Sequence, residues 1–173
     1  CYDTDLKRYM ELPETEKWAT ALHETGHYLA TVKSDMLKNQ KIAFVSILPM
    51  SWYLGVTQSY TKKNEEVIFS KDYYLDYIAM LMAGRVAESR LKDHNMGAYS
   101  DLEKANDIAK QIIMKFGLST ENHNRFYDYE DLYLLSEDKK KILDKEIQAL
   151  IDEGFRRAEK IISDNEELDR KST

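Results

Sequence analysis

Proline and glycine are scarce in this chain, 2 and 6 among 173 residues, and no other feature narrows its fold as much. A fold of many short strands needs frequent turns, and turns draw on these two residue types. Long helices are therefore the expected elements, and apolar periodicity locates them. Glu14 to about Lys33 reads as a helix with Trp18, Leu22 and Leu29 on one stripe. Gly26 inside it costs about 1 kcal/mol against Ala, so it marks close packing. Ser70–Leu91 reads as a second helix with Ser70 as its cap. Leu75, Ile78, Leu81, Met82 and Val86 form its apolar face, and Ala79, Ala83 and Ala87 form a small-residue stripe that lets another helix approach. Ser100 and Glu103 have capping-box spacing for a helix over Asp101–Phe116, which Gly117 stops. Ser136 opens an amphipathic helix to about Ile162, and the charged segment Ser163–Thr173 is predicted to fray.

Between the helices, "KIAFVSIL" (Lys41–Leu48) and "LGVTQSY" (Leu54–Tyr60) read as two strands of a hairpin joined through "PMSWY" (Pro49–Tyr53). Lys92–Tyr99 reads as a loop, and Ser119–Leu135, polar, acidic and aromatic, as a surface excursion. The expected fold class is mainly α with one small β-sheet, as a single domain over residues 1–173.

Composition removes several functions. The net charge of −6 comes with no basic block, which argues against nucleic acid as a partner. No apolar run reaches the roughly 18 residues that span a bilayer, so no membrane contact is expected from this chain itself. No signal segment opens it. The single cysteine, Cys1, rules out an internal disulfide framework and fits a reducing compartment. Its first position, without an initiator Met, suggests a fragment or a processed piece.

The chemistry is concentrated in "HETGH" (His23–His27). On a helix, residues i and i+4 share a face, so His23 and His27 can direct two imidazole nitrogens at one ion, at about 2.0–2.1 Å for zinc. Glu24 lies about 100° further round, out of that coordination but within reach of a water beside the ion. H-E-x-x-H therefore reads as two metal ligands plus a general base. Random ordering of this composition would produce the motif in about one chain in a hundred. Zinc hydrolases take a third protein ligand. Lys33, where a metzincin places its third His, cannot serve, and His94 and His123 lie in polar, loop-like stretches. Two carboxylates remain. Asp101 opens a helix after "GAYS", where the helix dipole favours its ionised form. Glu88 is the rival ligand, or else a partner that orients a ligand histidine.

The chain also resembles the proteolytic domain of FtsH-type proteases, the membrane-anchored, ATP-driven zinc proteases of bacteria, mitochondria and chloroplasts. In family order, the matching segments are His23–His27, "VSILPMSWYLGVTQS" (Val45–Ser59), "IAMLMAGRVAE" (Ile78–Glu88), "GAYSDLEKANDIAKQIIMKFGLS" (Gly97–Ser119) and Leu135–Ile162. The resemblance implies that His23, His27 and Asp101 bind zinc, that Glu24 is the base and that Glu88 has a supporting role. It implies an FtsH-type zinc peptidase domain that cleaves unfolded or membrane-extracted polypeptides. It also implies a homo-oligomer, hexameric in the full-length family, and a position on the cytoplasmic or organellar side of a membrane. Three features depart from the pattern: Thr25 stands where Ala is usual, Ser89–Met96 lacks the usual Phe-Gly pair, and the C-terminal tail stops earlier. No G-x-x-x-x-G-K-[ST] loop is present, so ATP would act only through a motor domain outside this chain. The alternatives are a stand-alone, ATP-independent peptidase and a non-catalytic scaffold that builds a ring. Substrate is expected to add as a strand to the Ile42–Tyr60 hairpin, with Phe44, Trp52 and Tyr53 touching apolar side chains or neighbouring subunits.

Overall fold

The computed structural model describes residues 2–37, 39–49, 54–61, 68–89, 91, 99–121 and 123–171. Its elements follow the order α1 (Tyr2–Glu11), α2 (Glu14–Lys33), β1 (Gln40–Ser46), β2 (Val56–Thr61), α3 (Lys71–Glu88), α4 (Tyr99–Lys110) and α5 (Glu137–Lys171). Among the described residues the fold is mainly helical with one two-stranded antiparallel sheet, as the sequence predicts.

Helix α3 is the centre of the packing, with α2, α4 and α5 all against it. Ser70 caps it, its hydroxyl accepting from the Tyr73 N–H at 3.1 Å. The predicted apolar face Leu75, Ile78, Leu81, Met82 and Val86 is buried, and so is the alanine stripe. Small residues let the helices close in. A Cβ on Gly26 of α2 would collide with the Ala83 carbonyl oxygen of α3, so glycine is required for this approach. Leu143, Leu150, Ala158 and Ile162 of α5 complete the core from the other side, with Ala105 and Ala109 of α4. Each large aliphatic side chain so buried contributes about 1.5–3 kcal/mol.

In the hairpin, Gln40 pairs with Thr61 and Ser46 with Val56. Ile42 and Phe44 face the successive residues Ser59 and Gln58, which leaves Ala43 as an extra residue, a β-bulge. The sheet lies on α2.

Several elements differ from expectation. Trp18 is 63% exposed, because α2 meets α3 at His23, Gly26 and His27, more than a turn further along. Helix α4 begins at Tyr99, so Ser100 lies within the first turn and is not its cap. After Lys110 the helix widens into a π-turn over Gln111–Lys115, closed by the Phe116 N–H on the Gln111 carbonyl at 2.9 Å. Gly117 then stops it at φ 65°. The 119–135 excursion is mostly exposed and holds a short 3₁₀ turn, Tyr129–Leu134, but Tyr127 within it is buried. The Tyr127 N–H reaches back to the Met114 carbonyl at 2.7 Å, which draws its ring into the core. Helix α5 runs to Lys171, past the end near Ile162 that the amphipathic pattern predicts.

Candidate metal centre

His23 and His27 lie on successive turns of α2 with their rings edge to face, centroids 4.5 Å apart. Their Nε2 atoms are 2.9 Å apart. Asp101, on the first turn of α4, places Oδ2 3.1 Å from His23 Nε2 and 3.3 Å from His27 Nε2. Donor atoms at about 2.0–2.1 Å from one tetrahedral zinc ion would stand about 3.3 Å from each other. Three lone-pair donors this close need a positive charge among them, either a shared proton or a metal ion, and two imidazoles with a carboxylate are a donor set that suits zinc. Among the described residues these three form a group able to hold a metal.

The surroundings orient the rings. His27 Nδ1–H donates to the Met80 carbonyl of α3 at 2.8 Å, which leaves its Nε2 lone pair facing the group. His23 Nδ1 stands 2.6 Å from Glu88 Oε1. That oxygen sits off the ring's N–H direction, so the contact is a close charge pairing and not an aligned hydrogen bond. Glu88 thus lies behind His23, on the far side of the ring from Asp101. Gly84 backs the same ring, and a Cβ there would lie 2.6 Å from Cε1.

These contacts move the proton affinities. Burial works against a charge on His23, yet the Asp101 and Glu88 carboxylates outweigh it and push the imidazole up to about 9. Burial likewise opposes charge on Asp101, but its bonds to His23 and His27 hold it well below the usual carboxylate range. Lys104 adds a distant cation, 3.8 Å from Asp101 Oδ1.

Glu24 is buried beside this group, 5% exposed. Both line one cleft of about 690 Å³, which Gly55 and the β2 residues Val56 to Ser59 also line. The structure thus brings together His23, Glu24, His27 and Asp101. It leaves His123 exposed in a turn and Phe44 exposed on β1. His94, Trp52 and Tyr53 fall outside the described residues. Four contributors escaped the sequence reading: the Met80 carbonyl, Gly84, Gly55 and Thr57. The last two sit in "LGVTQS", a segment with no metal-ligating residue type.

The family model for peptidase family M41 matches residues 10–171. An ATP-dependent zinc metalloprotease FtsH of Caldicellulosiruptor bescii is 34% identical over 92% of this chain and 27% of its own length. One of Protochlamydia amoebophila is 33% identical over 93% of the chain and 19% of its own length. One of Acidobacterium capsulatum is 29% identical over 94% of the chain and 27% of its own length. The chain spans about a quarter or less of these relatives. A match over nearly its whole length, with the fold and side-chain cluster described above, places the chain in peptidase family M41.

Proposed function

We propose that this chain is the zinc-dependent endopeptidase module of an ATP-driven, FtsH-like protease that cleaves unfolded or membrane-extracted polypeptides. The observation that carries the reading is the meeting of His23 Nε2, His27 Nε2 and Asp101 Oδ2 within 3.3 Å, beside buried Glu24 in an open cleft. His23, His27 and Asp101 are the residues that would hold the ion. When bound, zinc supplies a Lewis acid that polarises the scissile carbonyl and acidifies a water to near pH 7. Glu24 would take the proton from the attacking water and return it to the leaving amine. The raised His23 and lowered Asp101 proton affinities describe the metal-free protein.

β2 borders the cleft along Val56–Ser59, and an extended substrate would pair with it through main-chain hydrogen bonds. Such pairing reads backbone more than side chains, so sequence selectivity would be loose. Phe44, exposed on β1, is available to substrate or to a neighbouring subunit. Among the described residues no helix is long and apolar enough to cross a membrane. Membrane attachment, the ATP-driven motor and a hexameric ring would belong to the whole protein.

The test compares zinc content and cleavage of unstructured casein for the wild type, Glu24→Gln and Asp101→Asn. The expected result is about one zinc per chain in wild type and Glu24→Gln, cleavage lost in both variants, and weakened zinc binding in Asp101→Asn. Equal casein cleavage by wild type and Glu24→Gln would remove the base assignment. Full zinc binding by Asp101→Asn would remove the third ligand.

A further inference from the structure

The carboxylate of Glu24 is held from outside its own helix. Thr57, in β2, donates its Oγ1–H to Glu24 Oε2 at 2.6 Å. The same hydroxyl lies 3.1 Å from the Glu24 backbone carbonyl. A hydroxyl has one proton to give, and the shorter contact to the charged acceptor takes it. Gly55, two residues earlier, backs the other oxygen. A Cβ there would lie 2.9 Å from Glu24 Oε1, 3.0 Å from its Cγ and 2.7 Å from Thr20 Cγ2. One oxygen is therefore tied, and the other faces a gap that exists only because residue 55 has no side chain. Gly55, Thr57 and Glu24 all line the cleft.

Resting on the peptidase reading of this site, we propose that Thr57 is the positioning residue for the general base, with Gly55 keeping the reactive oxygen clear. A glutamate side chain has three rotatable bonds, and a base on a free one would spend most of its time misplaced. With Oε2 committed to Thr57, Oε1 is the oxygen left to take the proton from water. No atom of Thr57 takes part in the transfer. β2 would then serve two purposes: its edge aligns the substrate backbone, and its Thr57 sets the base in register with that edge. A mere tether between hairpin and helix would need neither a hydroxyl nor a carboxylate partner.

The experiment uses the zinc-loaded chain and an unstructured peptide, with kcat and KM measured for wild type, Thr57→Val and Thr57→Ser, and crystal structures of wild type and Thr57→Val. Val keeps the shape and removes the donor, and Ser restores the donor. Thr57→Val is expected to lower kcat about 10- to 100-fold, the cost of a base displaced by about 1 Å, with KM within about threefold and zinc content unchanged. Thr57→Ser is expected to return kcat to within about threefold of wild type. In the Thr57→Val crystal, Glu24 should leave its wild-type position while His23, His27 and Asp101 stay in place. Wild-type kcat in Thr57→Val, equal loss in the Ser variant, or an unmoved Glu24 carboxylate each overturns the positioning role. A wild-type chain that binds zinc yet cleaves nothing overturns the peptidase reading instead. The crystallographic comparison then still decides whether Thr57 sets the Glu24 rotamer.

Discussion

Gly84 and His23 are packed so closely that a methyl group on the glycine would lie 2.6 Å from the imidazole Cε1 and 2.7 Å from Nδ1. Helix α3 thus supplies a flat backing for the ring that α2 presents. Gly84→Ala must push the ring, since the glycine sits mid-helix beside a packed core and the backbone has little room to yield. The expected result is a drop in zinc affinity of about tenfold or more, as when a supporting contact to a metal ligand is lost. Chelator competition measures it. Far-UV circular dichroism should remain that of the wild type, because alanine favours the helix.

Glu88 acts on His23 through charge. Its Oε1 is 2.6 Å from Nδ1, on the side of the ring away from Asp101. Glu88→Gln preserves the shape and removes the charge. In the metal-free protein the His23 imidazole should then titrate below its wild-type value of about 9, which ¹H–¹⁵N NMR of the ring would follow directly. Zinc affinity should fall about 10- to 100-fold. An unchanged His23 titration would mean that Asp101 alone sets its proton affinity.

Metal-free protein should lose stability as pH rises from about 6.5 to about 9, while zinc-loaded protein should hold it. His23 binds its proton more tightly folded than unfolded, so its contribution to metal-free stability is fully present below about pH 6.5 and is lost as pH rises towards about 9. Asp101 is depressed, so its contribution is present above about pH 4 and is lost as pH falls through its lowered value. Zinc needs the neutral imidazole, and its affinity should rise about tenfold per pH unit over the same 6.5–9 interval from His23 alone. Thermal melts with chelator and with excess zinc, at pH 6.5, 7.5 and 8.5, should diverge steadily. Parallel curves would contradict a proton and an ion competing for one place.

Much of this arrangement is readable along the chain because it is local. The i, i+4 spacing of His23 and His27, the Ser70 cap, the Ala79–Ala83–Ala87 stripe and the tight approach at Gly26 depend on helix geometry, which a few neighbouring residues specify. What the sequence leaves open depends on distance in the chain. On spacing alone Asp101 leads and Glu88 stays its rival until α3 and α4 are packed; the fold then puts them on opposite sides of His23. Thr57 meets Glu24 across 33 residues, through a strand whose composition advertises only a hairpin. Trp18 and Tyr127 show the limit in opposite directions. One belongs to an apolar stripe and stays exposed, and the other sits in a polar stretch and is buried, because the neighbouring elements decide which positions are covered.

Arg157 joins the last helix to the centre of the fold. From α5 its Nη1 contacts Asp76 Oδ1 at 2.6 Å, its Nη2 contacts Asp72 Oδ1 at 3.0 Å, and its Nε contacts Glu153 Oε1 at 3.1 Å. Asp76 also accepts from Ser34, at the C-terminal end of α2, at 2.6 Å. One carboxylate therefore connects three helices, and burial leaves it little water to fall back on if the guanidinium goes. Asp72 is well exposed and adds little. Arg157→Met keeps the packing of the stem and removes the charge. Because the cluster is partly solvated, the expected cost is about 1–3 kcal/mol, below that of a fully buried pair, or about 2–8 °C in the melting temperature. Adding Asp76→Asn to Arg157→Met should recover part of the loss, since it removes the stranded charge; a double variant that melts lower than Arg157→Met alone would show that Asp76 stabilises the fold through Ser34 and not through the arginine.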